Sequence, residues 1–349
     1  MIASLLATAL LCSAWAVQYF VPKKRPFKIP AGWPQPVYDF QKNPLTEEGI
    51  ALGRTLFYDE ILSKDSSLSC GSCHQQFGAF NTFDHPLSHG VEGQVSFRNA
   101  PALYNLAWMP SFMWDGGINH LDLQFLAPVT SHQEMGADLN EVLEKLRKNE
   151  SYRKAFKAAF GDPTINTQRL GKALSQFMLT LVSDNSRYDK VKRGEAQFSL
   201  PEQLGEAIFL QKCAVCHQPP LFTDFSFRNT GMTKDLFLQD SGRMRITGLS
   251  ADSLSFKVPS LRNVTVSYPY GHDGRFFSLM NVFEHYRKNL RSVPQTDPLL
   301  KQPLALSNYE IGQLRAFLNT LTDTSFLTNP AFAPPGQAFR HTAPADNHQ

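Results

Sequence analysis

Cys70-Gly71-Ser72-Cys73-His74 and Cys213-Ala214-Val215-Cys216-His217 are the two stretches that decide how this chain folds. In each, two thiols spaced by two residues can add to the vinyl groups of a haem, while the adjoining histidine offers an axial imidazole to iron. A C-x-x-C pair alone is equally compatible with zinc or a disulfide. A histidine directly after the second cysteine, found twice, selects c-type haem attachment. The predicted fold is mainly α: two cytochrome c-like haem domains packed through a haem–haem interface, with long irregular segments against the haem edges.

Working outward, the rest of the chain suits that task. A length of 349 residues implies about two domains, one per haem. Charged residues are 19 % and there are 27 phenylalanines, a composition able to enclose large apolar cofactors. A net charge of +3, without a basic stripe interleaved with aromatics, excludes nucleic acid as a partner. The motifs use four of the five cysteines. The fifth, Cys12, lies in the apolar run 1–21, read as an export signal ending near Ala14-Trp15-Ala16. Because Lys23, Lys24 and Arg25 follow the run and no basic residue precedes it, an uncleaved membrane anchor is the alternative. Covalent haem attachment implies export, and the expected compartment is the periplasm.

Residues 22–44 carry six prolines and are expected to form a tether or an extended wrap. The first haem domain is assigned to 45–190, the second to 191–328, and 329–349 to a disordered tail. Thr46-Glu47-Glu48 marks a helix start before Ile50, Leu52, Leu56 and Phe57. Leu52-Gly53-Arg54-Thr55-Leu56-Phe57 is echoed by Leu204-Gly205-Glu206-Ala207-Ile208-Phe209 ahead of the second motif, as if each module brought a glycine and an aromatic close to its haem. Helical spacing also appears over 139–160, over 167–182 and after Ser307-Asn308-Tyr309-Glu310.

Further strings carry a resemblance. They are Leu62-Ser63, Arg98-Asn99-Ala100-Pro101-Ala102-Leu103-Tyr104-Asn105, Phe112-Met113-Trp114-Asp115-Gly116, Gln124 and Gln133-Glu134-Met135-Gly136, then Phe256-Lys257-Val258-Pro259-Ser260-Leu261-Arg262-Asn263 and Pro269-Tyr270-Gly271-His272-Asp273-Gly274. From about Thr46 to Leu327 the chain resembles the bacterial dihaem cytochrome c peroxidases, a family that includes the MauG-type enzymes. The resemblance implies a periplasmic enzyme that reduces hydrogen peroxide with electrons from a small cytochrome c or cupredoxin. Its MauG-type branch instead uses peroxide to oxidise a partner protein. A dihaem electron carrier is the non-enzymatic alternative, which Glu134 and Gln124 argue against. Family members are often dimers, so a homodimer is implied.

The same resemblance distributes roles. Glu134 matches the acid/base that moves a proton between the peroxide oxygens, and Gln124 the polar group that orients peroxide. Trp114 matches the aromatic relay between the haems, though the string continues with Gly117 where the family has arginine. Cys70, Cys73, Cys213 and Cys216 would attach the haems, and His74 and His217 would ligate iron. His89, fifteen positions after His74, matches the movable ligand of the first iron, with His85 as second choice. A calcium ion is implied between the modules, held by the Asn99 side chain and the Ser267 and Pro269 carbonyls. Fourteen positions after His272, where many family members carry methionine as second ligand of the second iron, stands Tyr286, as in the MauG-type enzymes. Tyr286 is therefore the expected ligand and nearby Met280 the alternative; a phenolate donor stabilises ferric and higher oxidation states.

Overall fold

The structure is a computed structural model that describes residues 21–336. The export signal or anchor, Cys12, and the tail beyond residue 336 lie outside the described residues, apart from Val21 at the edge of the apolar run. No described helix is long and apolar enough to cross a membrane.

The described residues run through thirteen α-helical segments, several of them single turns. The first module holds α1 (Glu47–Tyr58), α2 (Cys70–Cys73), α3 (Leu121–Gln124), α4 (Leu126–Thr130), α5 (Leu139–Lys148), α6 (Glu150–Phe160) and α7 (Thr167–Leu179). Then come α8 (Arg187–Lys192), α9 (Leu200–Lys212), α10 (Met244–Thr247), α11 (Leu279–Glu284), α12 (Asn308–Asn319) and α13 (Thr324–Leu327). Sheet among the described residues is one antiparallel pair, β1 (Phe227–Arg228) with β2 (Phe256–Lys257), Phe227 opposite Lys257. Thr46 caps α1 by accepting the Gly49 amide, and Ser307 with Glu310 forms the capping box of α12. The helical pattern of 139–160 is cut in two at Asn149, whose side chain accepts the Ser151 and Tyr152 amides and starts α6 afresh.

The echoed glycines work at helix crossings. A Cβ on Gly53 would run into the Ala173 carbonyl of α7, and one on Gly205 into the Gln313 carbonyl of α12. Four residues beyond each glycine an aromatic meets its counterpart, Phe57 with Phe177 at 5.3 Å and Phe209 with Phe317 at 5.0 Å between ring centroids. Each pair of crossing helices thus builds one hydrophobic core, the first around Phe57, Phe80 and Phe177 and the second around Phe209, Phe222 and Phe317.

A second repeated device follows each haem motif. Asn105 and Asn263 both adopt left-handed backbone, with φ of 56° and 55°. Asn105 donates its amide to Leu181 and accepts the Ser183 amide on its side chain; Asn263 does the same with Leu321 and Asp323. Each ties the loop behind a haem motif to the end of its core helix.

The chain ends are packed more closely than composition suggested. Residues 22–44 form a wrap: Phe27 stacks on Phe40, and Trp33 meets Trp108 edge-on at 4.9 Å. Disorder was expected from residue 329, yet Phe332 and Ala333 are buried, and the Tyr58 hydroxyl and Arg54 guanidinium donate to their carbonyls. Phe326, Leu327 and Phe332 belong to the first core, so the end of the chain returns across the module boundary.

Candidate active site

Both haem motifs are presented in the same manner. The turn of α2 carries Cys70 and Cys73, and the end of α9 carries Cys213 and Cys216. His74 Nδ1 lies 2.8 Å from the Phe80 carbonyl; His217 Nδ1 lies 3.1 Å from Pro259 and 3.3 Å from Phe222 carbonyls. With Nδ1–H donating to a carbonyl, Nε2 is left as the lone-pair nitrogen that iron requires. Burial pushes the His74 pKa down to about 4 and lowers that of His217, which keeps both imidazoles neutral as ligands must be. Two thiols and one neutral, oriented imidazole per module form a donor set that fits haem c.

Glu134 follows α4 and is held by its backbone, its carbonyl accepting the Val91 amide at 2.8 Å. Its carboxyl is half-buried, and burial raises its pKa. Its charge adds to the rise that burial gives the Cys73 thiol pKa. Gln124 closes α3, and its one hydrogen bond goes to Met113 Sδ at 3.8 Å rather than to Glu134. His85 and His89 sit together on the loop after the motif, ring centroids 5.2 Å apart, both exposed.

Trp114 stands at the seam of the modules. Its indole N–H donates to the Asn99 carbonyl at 2.8 Å, and its own carbonyl accepts the amide of Lys257 in β2 at 2.8 Å. Two arginines bear on Asp115, beside Gly117. Arg98 reaches the neighbouring Asp115 at 2.6 Å and chelates Asp240, while Arg243, stacked 3.9 Å over Phe227, donates to the Asp115 carbonyl. Even a Cβ at Gly117 would come within 2.9 Å of Ile246. Lys257 is buried with its ammonium on the Ser111 carbonyl, and burial pushes its pKa down to about 8.

The expected calcium ligands also lie at this seam. Asn99 is buried, takes its backbone partner from the His272 carbonyl and fixes its amide nitrogen on Pro86, which leaves its side-chain oxygen as the acceptor. The Ser267 carbonyl is met by the Asn81 amide at 2.7 Å. These are neutral oxygens, and among the described residues no cluster of three acidic, histidine or cysteine side chains adds charge to a cation site.

At the second motif the choice between Tyr286 and Met280 becomes geometric. Tyr286 lies in a single π-helical turn, His285–Asn289, that continues α11. Such turns re-aim side chains and occur mostly at functional sites. Burial raises its pKa, and the Cys213 and Cys216 thiols raise it further. Met280 sits at the start of α11 with 40 % of its surface exposed.

The profile of the di-haem cytochrome c peroxidases matches residues 47–197. Over 320 residues, 88 % of this chain and 91 % of the other, the sequence is 35 % identical to the methylamine utilization protein MauG of Methylophilus methylotrophus. The chain belongs to the di-haem cytochrome c peroxidase family. It is also 32 % identical to the cytochrome c551 peroxidase of Nitrosomonas europaea, over 80 % of this chain and 81 % of the other. A solved MauG-like protein associated with microbial copper homeostasis superposes with a TM-score of 0.82 at 31 % identity, covering 90 % of this chain and all of that one. As in the family, two haem c groups are the cofactors, and the activity is an oxidoreductase reaction with peroxide. Both MauG and peroxidases stand among the relatives.

Sequence reasoning expected Trp114 at the seam but missed its polar contacts. The pairing of Pro101-Ala102-Leu103-Tyr104-Asn105 with Pro259-Ser260-Leu261-Arg262-Asn263 is visible as an internal repeat and marks the loops behind each histidine. Asp240 and Arg243, which complete the contacts around Asp115, lie in a loop with no such signal.

Proposed function

We propose that this chain is a periplasmic peroxidase that reduces hydrogen peroxide to water with electrons from a small redox protein, a cytochrome c or a cupredoxin. Bound haem supplies the iron that accepts peroxide and the redox equivalents; the chain supplies the rest. The carrying observation is the half-buried carboxyl of Glu134, whose pKa burial raises and whose charge bears on the Cys73 thiol. A carboxylate there takes the proton from the near peroxide oxygen and returns it to the far one, so that water leaves. Gln124 would orient the peroxide, and His89, exposed on the loop after the first motif, would be the movable ligand of that haem. Trp114, bonded to the first module through Asn99 and to the second through Lys257, is the relay between the haems. Asn99, Ser267 and Pro269 would hold a calcium ion that stiffens this seam, a hard cation being suited to carbonyl and amide oxygens.

A second reading is favoured by Tyr286. A phenol whose pKa the thiols of the second motif help to raise suits a haem that stores oxidising equivalents, and the chain would then use peroxide to oxidise a partner protein, with Trp114 carrying charge outward.

One experiment separates these from simple electron carriage. Haem-loaded protein is mixed with peroxide and a reduced small cytochrome c. The peroxidase reading expects two cytochromes oxidised per peroxide, with prior reduction of the enzyme accelerating the first turnover. Peroxide consumption by fully oxidised protein, with the cytochrome left reduced, moves the conclusion to the partner-oxidising reading. Exchange of electrons without loss of peroxide leaves only a carrier.

A further inference from the structure

Behind the second haem motif lies a cleft of about 800 Å³ that is not part of the peroxide site. Four segments form it: the wrap at residues 30–33, the connection from α7 to α8, the Pro219-Pro220 turn just after His217, and the chain end around Phe326 and Phe332. That volume suits a small organic molecule.

Two of its walls are side chains that can give up an electron, Trp33 and Tyr188. Both converge on one ring. The Tyr188 ring is 4.9 Å from Phe222, centroid to centroid. Trp33 lies 4.6 Å from the guanidinium carbon of Arg262, which in turn lies 5.6 Å from Phe222. Phe222 is the residue whose carbonyl, with that of Pro259, holds His217 Nδ1. The cleft therefore touches the support of the second haem's own ligand through a single layer of packed groups.

The cleft also holds a free base. Asp189 chelates Arg262, and Asp323 accepts from Ser183, Asn185, Ser325 and Phe326. Asp184, between them in the wall, has a carboxylate with no hydrogen bond or ion pair to any described residue. Burial raises its pKa, and the charges of Asp323 and Asp189 raise it further. Lys192 and Arg193 stand on the same wall, paired with Glu206 and Glu195.

We propose that this cleft binds a small phenolic reductant of the hydroquinone type and passes its electrons through Tyr188 or Trp33 toward the second haem motif. The proposal rests on the peroxide-driven reading above. Two O–H bonds of the hydroquinone break, and the ring loses two electrons and two protons to become a quinone. The O–O bond of one peroxide breaks, and two waters form. Asp184 takes each phenolic proton as the electron leaves and releases it to solvent.

The test uses haem-loaded protein with benzene-1,4-diol as donor, beside a calorimetric titration of the diol into the oxidised protein. Reduced cytochrome c serves as the reference donor. Saturable binding and peroxide-dependent quinone formation are expected. Ala31→Phe, on the exposed turn at the cleft mouth, should raise the diol KM roughly tenfold or more, as steric filling of a pocket does, with cytochrome turnover unchanged. Asp184→Asn should lower diol kcat by about 10² and abolish its acid limb. Diol oxidation indifferent to both substitutions would place the chemistry elsewhere and overturn the proposal. So would binding without quinone formation, or cytochrome turnover with no diol oxidation, and in that last case the peroxidase reading survives. If neither donor supports turnover, both fall.

Discussion

Replacing Glu134 by glutamine keeps the shape of the side chain and removes its charge and its capacity to carry a proton, so activity and stability should move in opposite directions. The carboxyl is half-buried, and its charge bears on the Cys73 thiol. As the base that moves the peroxide proton it is worth about 10² to 10⁴ in turnover, or roughly 3 to 5 kcal/mol at 1.36 kcal/mol per tenfold. For stability the sign reverses. A carboxyl whose folded pKa is raised by burial favours the folded state below its unfolded pKa, and that advantage is lost as pH rises through the folded value. At neutral pH the buried ion is therefore a cost, which glutamine does not carry. Stopped-flow mixing with peroxide should show the loss in turnover with both haem spectra unchanged. Urea unfolding at neutral pH should show the variant more stable than wild type, with the difference closing in acid. The wild-type acid limb of turnover should lie above the ordinary glutamate range and vanish in the variant. Turnover within twofold of wild type, or a variant less stable at neutral pH, would show that the carboxylate is structural and sink the assignment.

Mass spectrometry of the purified chain should show two haem additions; one haem, or zinc in their place, removes the framework. If Tyr286 ligates the second iron, the ferric protein should lack the sulfur-to-iron band of a His/Met haem, and Tyr286→Met should create it and raise that haem's potential. A wild type that already shows the band returns the role to Met280. Arg262→Met should cost about 3–5 kcal/mol in urea unfolding, because it leaves the buried Asp189 carboxylate without its two 2.8 Å partners. The added Asp189→Asn, which keeps an acceptor for Ser186 and removes the unpaired charge, should recover part of that loss, and a double variant no better than the single one would show that the pair is not the cause. Gly53→Ala and Gly205→Ala, each pressing a methyl on a backbone carbonyl of the crossing helix, should destabilise by about 1–3 kcal/mol each; a null result on thermal unfolding at either site would deny the close crossing.

Haem attachment was legible in the sequence by itself because its chemistry is local. Two thiols and an imidazole within five consecutive residues reach one cofactor whatever the rest of the chain does, and their recurrence set the number of modules and the mainly α fold. The starts of α1 and α12 were legible for the same reason, since a cap and its acceptor lie within one turn. The roles of Glu134, Gln124 and Trp114 came from ordered resemblance, because nothing local distinguishes a proton-carrying glutamate from a surface one. Only the tertiary structure decided what depends on the path of distant segments. A π turn carries Tyr286, whose pKa the Cys213 and Cys216 thiols help to raise, while Met280 is 40 % exposed. Arg98 and Arg243, one from each half of the chain, meet at Asp115. The echoed glycines proved to be crossing points, since a glycine's use is set by the helix that lies against it. Phe332 is buried in a tail whose composition suggested disorder, because a single aromatic finds its place only when the groove beside α1 already exists.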